Sequence, residues 1–174
     1  MPEGQSALLV PVPEAEPLVG EWRSLYDASA AAGVPAHITL LYPFVPRPEI
    51  DERLLGELQA HFAARAPFSF RFPVLARFPG IVYLAPQPST PFRALIRDLA
   101  VRYPDYPPYG GIHDDVVPHL TVADRRDRLD LVLMQRIETG LGPRLPLEAR
   151  AREVWLMTER RKRWSRKARF RLGG

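Results

Sequence analysis

The sequence predicts an α+β fold of two pseudo-symmetric lobes, each a mainly antiparallel sheet backed by two helices, with a central cleft. Three observations predict it. Segments of strand and helix period follow in the order strand, helix, strand, helix, strand, and the order then restarts. The text LVPVP at 9–13 lines up with LAPQP at 84–88. A His-x-Thr triplet also occurs in each half, in HITLLYPF at 37–44 and in PHLTVA at 118–123.

We interpret this recurrence as a degenerate internal duplication within one domain of residues 1–174. The repeats cover roughly 6–78 and 80–172, and a longer loop precedes the second triplet. With 46% hydrophobic and 25% charged residues, the chain has the composition of a folded globular protein.

The first half alternates short apolar runs with amphipathic segments. Leu18, Trp22 and Leu25 recur at helical spacing after a proline suited to a first helical turn, whereas Phe68 and Phe70 alternate as in a strand. The expected elements are a strand at 8–12, a helix at 17–31, a strand at 37–44, a helix opened by Pro48 and a strand at 67–78.

The second half repeats that order. Thr90 before Pro91 has the pattern of a helix cap, and the Pro, Tyr and Gly residues of 104–111 indicate a loop. The expected elements are a strand at 81–86, a helix from Thr90 to about Tyr103, a strand at 116–123, a helix marked by Leu129, Val132, Leu133 and Ile137, a strand at 147–157 and a strand at 167–172.

Composition restricts the function further. Cysteine is absent, which excludes disulfides and thiol catalysis. There is no apolar run of about 18 residues or more, and Met1 to Ser6 does not resemble a secretory leader. We therefore expect a cytoplasmic protein without a membrane segment. The net charge of +4 favours anionic partners. The basic text RRKRWSRKARFR at 160–171 is either a solvated strand or tail, or a nucleic-acid patch.

The two His-x-Thr triplets carry the chemistry. Residues two apart in a strand share a face, so His37 lies beside Thr39 and His119 beside Thr121. If the lobes face each other, two imidazoles and two hydroxyls converge in the cleft. One imidazole can accept a proton from an attacking oxygen while the other donates one to a leaving oxygen, and the threonines can hold non-bridging phosphate oxygens. Chance occurrence is the alternative, which the matching strand context and repeat position disfavour.

These paired triplets resemble the H-x-T/S-x motifs of the 2H phosphoesterase superfamily, in its 2′-5′ RNA ligase / 2′,3′-cyclic phosphodiesterase branch. The resemblance covers nearly the whole chain. It implies metal-independent chemistry on 2′,3′-cyclic phosphates or 2′-5′-linked oligonucleotides, and it carries over to His37, Thr39, His119 and Thr121 as catalytic residues.

Three further residues are substrate-binding candidates. Arg125 is in phase with His119 if the strand persists and would then meet a phosphate, although a solvent-facing arginine is an equal alternative. Tyr83 and Trp155 lie in strands and could stack a base, although an aromatic residue in a strand more often belongs to the core.

No cofactor or metal is expected. His113, Asp114, Asp115 and His119 lack a familiar ligand spacing, and Gly110-Gly111 is too short to form a phosphate-binding loop. The expected partners are RNA ends, 2′-5′ oligonucleotides or small cyclic-phosphate nucleotides, bound by a monomer. Two alternatives to hydrolysis stay open: 2′-5′ RNA ligation by the same four groups, and RNA binding without significant turnover. The second is disfavoured because binding alone would tolerate lysine or arginine in place of both histidines.

Overall fold

The computed structural model describes residues 4–113, 115–127 and 130–174. Within these ranges, nine strands and five α-helices form. The strands are β1 (Ser6–Pro11), β2 (His37–Leu41), β3 (Phe68–Phe72), β4 (Leu75–Phe78), β5 (Ile81–Leu84), β6 (Leu120–Asp124), β7 (Leu147–Ala151), β8 (Glu153–Arg160) and β9 (Arg163–Arg171). The helices are α1 (Glu16–Tyr26), α2 (Ala28–Ala31), α3 (Glu52–Ala63), α4 (Thr90–Arg102) and α5 (Leu131–Leu141).

The strands form three antiparallel sheets. A four-stranded sheet has the order β2-β1-β8-β9, a three-stranded sheet has the order β4-β5-β6, and β3 pairs with β7 in a two-stranded sheet. The prediction of an α+β, two-lobed fold with antiparallel sheets is confirmed.

The sheets do not follow the two halves of the sequence. Strands β8 and β9 from the second half pair with β1, and β4 from the first half pairs with β5. The continuous strands predicted at 67–78 and 147–157 are wrong, because each segment forms two strands that belong to different sheets. The turn of Pro73-Val74 separates the first pair, and Arg152 separates the second. Each half therefore contributes strands to both lobes.

Helices from one half of the sequence also pack against strands from the other half. Helix α1 contacts β6 of the three-stranded sheet, whereas α4 contacts β2 and α3 contacts β9 of the four-stranded sheet. One hydrophobic cluster includes Leu8 and Ile38 from the first sheet together with Val82 and Leu120 from the second. The lobes thus share one core, which holds the two sheets in a defined relation to each other.

Several helix boundaries differ from those predicted. The helix expected at 17–31 breaks at Asp27, whose backbone is extended and whose carboxylate accepts a hydrogen bond from Ser29 N at 3.0 Å. Pro48 does not open a helix but lies in a 3-10 turn, Arg47–Glu49, and α3 begins after Asp51. Thr90 is the first residue of α4 and not its cap. At Asp27 and Asp51 the boundary reflects side-chain capping, which overrides the apolar periodicity at helix ends, whereas α4 begins without a side-chain cap.

Helix α5 occupies the place predicted for the last helix, and its Leu133 and Ile137 are buried. Leu129, which was expected to mark the same helix, lies outside the described residues. Among the helices that the structure describes, the longest apolar stretches fall short of what crossing a bilayer requires.

Candidate active site

The first His-x-Thr strand carries a β-bulge directly after its threonine. Leu9 of β1 pairs with Thr39, but the preceding Leu8 pairs with Leu41, so Leu40 is an extra residue in β2. Ile38 and Leu40 are buried in the core, while His37 and Thr39 are only partly buried on the opposite face. The alternation predicted for this triplet therefore holds in the structure.

The second triplet has the same bulge at the same place. Tyr83 of β5 pairs with Thr121, but Val82 pairs with Ala123, so Val122 is the extra residue. The pairing makes Tyr83 the counterpart of Leu9. The alignment of 9–13 with 84–88 is therefore one residue out of register, since it would match Leu9 to a core-facing leucine. Strands β2 and β6 contact each other, which brings the two triplets together.

Both imidazoles are oriented by the same backbone contact. His37 Nδ1 lies 2.7 Å from the carbonyl oxygen of Pro35, and His119 Nδ1 lies 2.7 Å from that of Val117. A carbonyl only accepts hydrogen bonds, so each Nδ1 carries a proton and donates it. This places the neutral imidazoles in the Nδ1–H tautomer and leaves each Nε2 as the atom that can accept or donate a proton.

The charge of a buried arginine acts on the His37 ring. Arg23 of α1 is 2% exposed, and its guanidinium donates to Asp27 at 3.1 Å and to the Val34 carbonyl at 3.1 Å. Burial, and then the positive charge of Arg23, lower the pKa of His37 from 6.5 to about 4, against the opposing effects of the Pro35 carbonyl and Asp27. His37 is therefore held neutral at physiological pH.

The His119 ring has an aromatic wall. Phe78 and Tyr83 stack with their ring centroids 4.2 Å apart, and both meet the imidazole edge-on, at 5.3 and 5.6 Å. Burial lowers the pKa of His119, the Val117 carbonyl opposes this, and the charge of Arg126 lowers it further. Tyr83 itself is 8% exposed. The structure thus places this substrate-binding candidate against a catalytic candidate.

Sequence reasoning missed Tyr109, which lies in the loop before the second triplet. Its backbone N–H donates to the Tyr42 carbonyl at 2.6 Å, and its side chain hydrogen-bonds to Thr39. Burial raises the pKa of Tyr109, so its hydroxyl stays protonated. No motif marks this contact, because it joins a loop of the second half to a strand of the first.

A cavity of about 1140 Å³ opens beside the first triplet. It is lined by His37 and Thr39, by the 24–32 segment and by Asp124–Asp127. Its floor is formed by residues on the same sheet face as Thr39: Ala7, Leu9, Met157, Glu159 and Trp164. Its charged lining residues are of both signs: Arg125, Arg126 and Lys162 are basic, and Asp27, Asp124, Asp127 and Glu159 are acidic. Arg126 is paired with Asp124 at 2.8 Å.

Arg125 does not share the phase of Thr121. Val122 is an extra residue, so the alternation shifts by one and Asp124, paired with Ile81, occupies the face of Thr121. Arg125 still lines the cavity, with its guanidinium 6.0 Å from the Tyr26 ring centroid. Arg126, which sequence reasoning passed over, is the exposed arginine whose charge acts on both His119 and Tyr109.

Trp155 lies on the cavity face of the four-stranded sheet but outside the residues that line the cavity. It pairs with Leu9, which in turn pairs with Thr39, so one strand separates the tryptophan from the first triplet. Its ring packs near Leu9 and Met157, and its indole N–H donates to Glu153 at 2.7 Å.

Within residues 4–113, 115–127 and 130–174, no three or more His, Asp or Glu side chains group as metal ligands. Of the set that the sequence analysis considered, Asp114 lies outside the described residues. Asp115 forms an ion pair with Arg93 at 2.7 Å, and His119 donates through Nδ1 to a carbonyl. Of the two candidate histidines, His37 is among the residues that line the cavity, whereas His119 is not.

Known proteins share the fold of this chain. The family model of the 2′-5′ RNA ligase superfamily matches residues 10–163. A search of curated proteins gives no match. Among solved structures, Escherichia coli LigT complexed with NADP+ is 16% identical with a TM-score of 0.58, covering 99% of this chain and 100% of that one. A protein of Thermus thermophilus is 17% identical with a TM-score of 0.59, covering 98% of each chain. A structure described as a phosphoesterase is 14% identical with a TM-score of 0.55, covering 98% of this chain and 99% of that one. At these identities the likeness is one of fold.

Proposed function

Since the chain belongs to the 2′-5′ RNA ligase superfamily of 2H phosphoesterases, we propose that it is a phosphodiesterase acting on RNA-type substrates. It hydrolyses a 2′,3′-cyclic phosphate to a 2′-phosphate, or cleaves a 2′-5′ linkage. The observation that carries the proposal is the pair of imidazoles with identical Nδ1-to-carbonyl contacts, which leave two Nε2 atoms for proton transfer.

Hydrolysis of the cyclic phosphate then needs one proton accepted and one donated. His37 Nε2 accepts a proton from water as the water oxygen forms its bond to phosphorus. The bond from phosphorus to O3′ breaks, and His119 Nε2–H donates its proton to that oxygen. The product is a 2′-phosphate with a free 3′-hydroxyl.

The environments of the two rings support this division of roles. Burial and then the positive charge of Arg23 lower the pKa of His37 to about 4, which keeps that ring neutral, as a base must be. His119 contacts uncharged aromatic rings, and its pKa is lowered by burial and then by the charge of the exposed Arg126. A bound phosphate adds negative charge, which favours a protonated imidazole at His119.

The threonines supply neutral hydrogen bonds. The Thr39 and Thr121 hydroxyls donate to the non-bridging oxygens, where negative charge increases in the transition state. The contact with Tyr109 restricts the orientation of the Thr39 hydroxyl. Arg125, which lines the same cavity and forms no ion pair among the described residues, attracts the phosphate into this position.

The test is incubation of the purified protein with nucleoside 2′,3′-cyclic phosphates and 2′-5′-linked oligonucleotides, with and without EDTA. We expect turnover in EDTA, a 2′-phosphate product from the cyclic substrate, and loss of turnover in the folded His37→Ala and His119→Ala variants. Activity lost in EDTA and restored by a divalent ion would overturn the two-histidine mechanism. RNA binding with no turnover of any substrate would favour a binding protein, and joining of ends in preference to hydrolysis would favour ligation.

A further inference from the structure

The cavity face of the four-stranded sheet continues beyond the cavity onto its edge strand. In β8 this face carries Trp155 and Met157, and in β9 it carries their pairing partners Arg169 and Arg166. We call Trp155, Arg166 and Arg169 the outer strip. With about 4.8 Å between neighbouring strands, the outer strip begins two strands from Thr39 and ends about 14 Å from it.

The Arg166 side chain packs on the Trp155 ring, and no acidic side chain among the described residues pairs with it. Its guanidinium carbon lies 4.6 Å from the centroid of the Trp155 ring, a cation–π geometry. Trp155 is in turn held by its hydrogen bond to Glu153, which also pairs with Arg169 at 3.6 Å. Among the ion pairs of the described residues, none involves Arg166. Its N–H donors are therefore available to an anion.

The outer strip is continuous with the cavity. Trp155 pairs with Leu9, and Arg166 pairs with Met157, and both of these partners line the cavity floor. Lys162, in the turn between β8 and β9, and Trp164, near the start of β9, also line the cavity. One sheet face therefore runs from the first His-x-Thr triplet to the sheet edge, with Leu9 and Met157 between the triplet and the outer strip. The same face also carries the acidic Glu153 and Glu159.

We propose that the outer strip binds the sugar-phosphate backbone of an RNA strand whose end lies in the cavity, so that the preferred substrate is a strand end and not a lone nucleotide. This inference rests on the proposed function for the reaction at that end. Alternation of aromatic rings with cations along one face is the arrangement with which proteins bind single-stranded nucleic acids.

The position of the strip favours RNA over other anionic partners. It lies on the same face as the reacting groups, so a chain bound there leads directly to His37. Arg166 presents a planar guanidinium fixed against a ring, which suits the paired oxygens of a phosphodiester better than a diffuse anionic surface. A membrane surface would instead engage the cluster of exposed cations at the β8–β9 turn, at 160–163.

The test compares Arg166→Ala with two control variants. Arg166→Lys keeps the charge and loses the planar contact. Arg53→Ala removes one exposed arginine from α3, which contacts β9 from the core side of the sheet. Each protein is assayed for kcat/KM on a short single-stranded oligoribonucleotide ending in a 2′,3′-cyclic phosphate and on the corresponding nucleoside cyclic phosphate. Binding of the 2′-phosphate-ended oligonucleotide is measured in parallel over a series of salt concentrations.

We expect Arg166→Ala to lower the ratio of oligonucleotide to nucleotide kcat/KM by about three- to five-fold, the effect of one exposed ionic contact. Its oligonucleotide affinity should also depend less steeply on salt, by about 0.7 in the log–log slope. Arg53→Ala should change neither quantity. Arg166→Lys keeps the charge, so its salt slope should be closer to that of the unmodified protein than its ratio of kcat/KM values.

An unchanged ratio and salt slope in Arg166→Ala would overturn the inference, even if the enzyme hydrolyses both substrates. Binding of phosphatidylserine vesicles that depends on Arg166, with oligonucleotide binding unaffected, would also overturn it. If no substrate is turned over, the proposed function fails. The binding measurement would then still decide the inference, since the slope change does not require catalysis.

Discussion

The two His-x-Thr strands share their backbone geometry and differ in what surrounds them. Both carry a bulge directly after the threonine, and both imidazoles donate Nδ1–H to a carbonyl two residues earlier. The charge of the buried Arg23, however, acts on His37, whereas His119 meets the rings of Phe78 and Tyr83.

This difference makes the environments of the two copies of the motif unequal. A symmetric pair of histidines would have equal pKa values and no preference for base or acid. The charge of a cation acts on one ring, and uncharged aromatic rings contact the other. The two imidazoles therefore differ in pKa although the motif is the same. The predictions below test that inequality, beginning with the largest expected effect.

Replacing either imidazole should have the largest effect. We expect His37→Ala and His119→Ala each to lower kcat/KM by about a hundred- to ten-thousand-fold, since each removes one proton-transfer group. Circular dichroism should show that both variants fold. His61→Ala is the matched control, because His61 lies on α3. A folded variant at either catalytic position that retains most of its activity would contradict the assignment.

Replacing either threonine should have the next largest effect. Thr39→Ala and Thr121→Ala are expected to lower kcat/KM by about a hundred-fold, because a neutral donor to the developing charge is lost. The limbs of the pH profile of kcat/KM should stay at the same pH, since a threonine hydroxyl does not titrate in the pH range of the assay. The serine variants, which retain the hydroxyl, should keep most of the activity. Displaced limbs in the alanine variants would indicate that the threonines act through the histidines instead.

Tyr109→Phe should have a smaller effect that is specific to the first triplet. Loss of its hydrogen bond to Thr39 is expected to lower kcat by about three- to ten-fold. In a Thr39→Ala background the same substitution should have little further effect, because the partner is already absent. Full additivity in that double-mutant cycle would show that Tyr109 does not act through Thr39.

The pH profile tests the inequality most directly. The profile of kcat/KM should be bell-shaped, with an acid limb near the His37 pKa of about 4 and an alkaline limb below 6.5, since the pKa of His119 is lowered as well. Arg126→Ala should move the alkaline limb upward, because a nearby positive charge no longer disfavours protonated His119. The acid limb should stay in place. A shift of both limbs together would show that the two rings titrate as a coupled pair.

Much of the site was predictable because the motif acts locally. Strand alternation by itself places His37 with Thr39 and His119 with Thr121, and a two-residue period requires no knowledge of partners. The α+β class and the positions of most helices follow from apolar periodicity in the same way. Helix ends were less predictable, since Asp27 and Asp51 set them through individual side-chain hydrogen bonds.

The sequence by itself determined the local elements and the faces on which the four candidate catalytic side chains lie. Only the tertiary structure decided which strands pair, where the bulges shift the alternation past Thr121, and which groups from elsewhere surround each imidazole. Arg23, Tyr109 and Arg126 reach the site through contacts between elements that are distant in the chain. Such contacts depend on the shared core that fixes one lobe against the other, and no short-range pattern in the sequence records them.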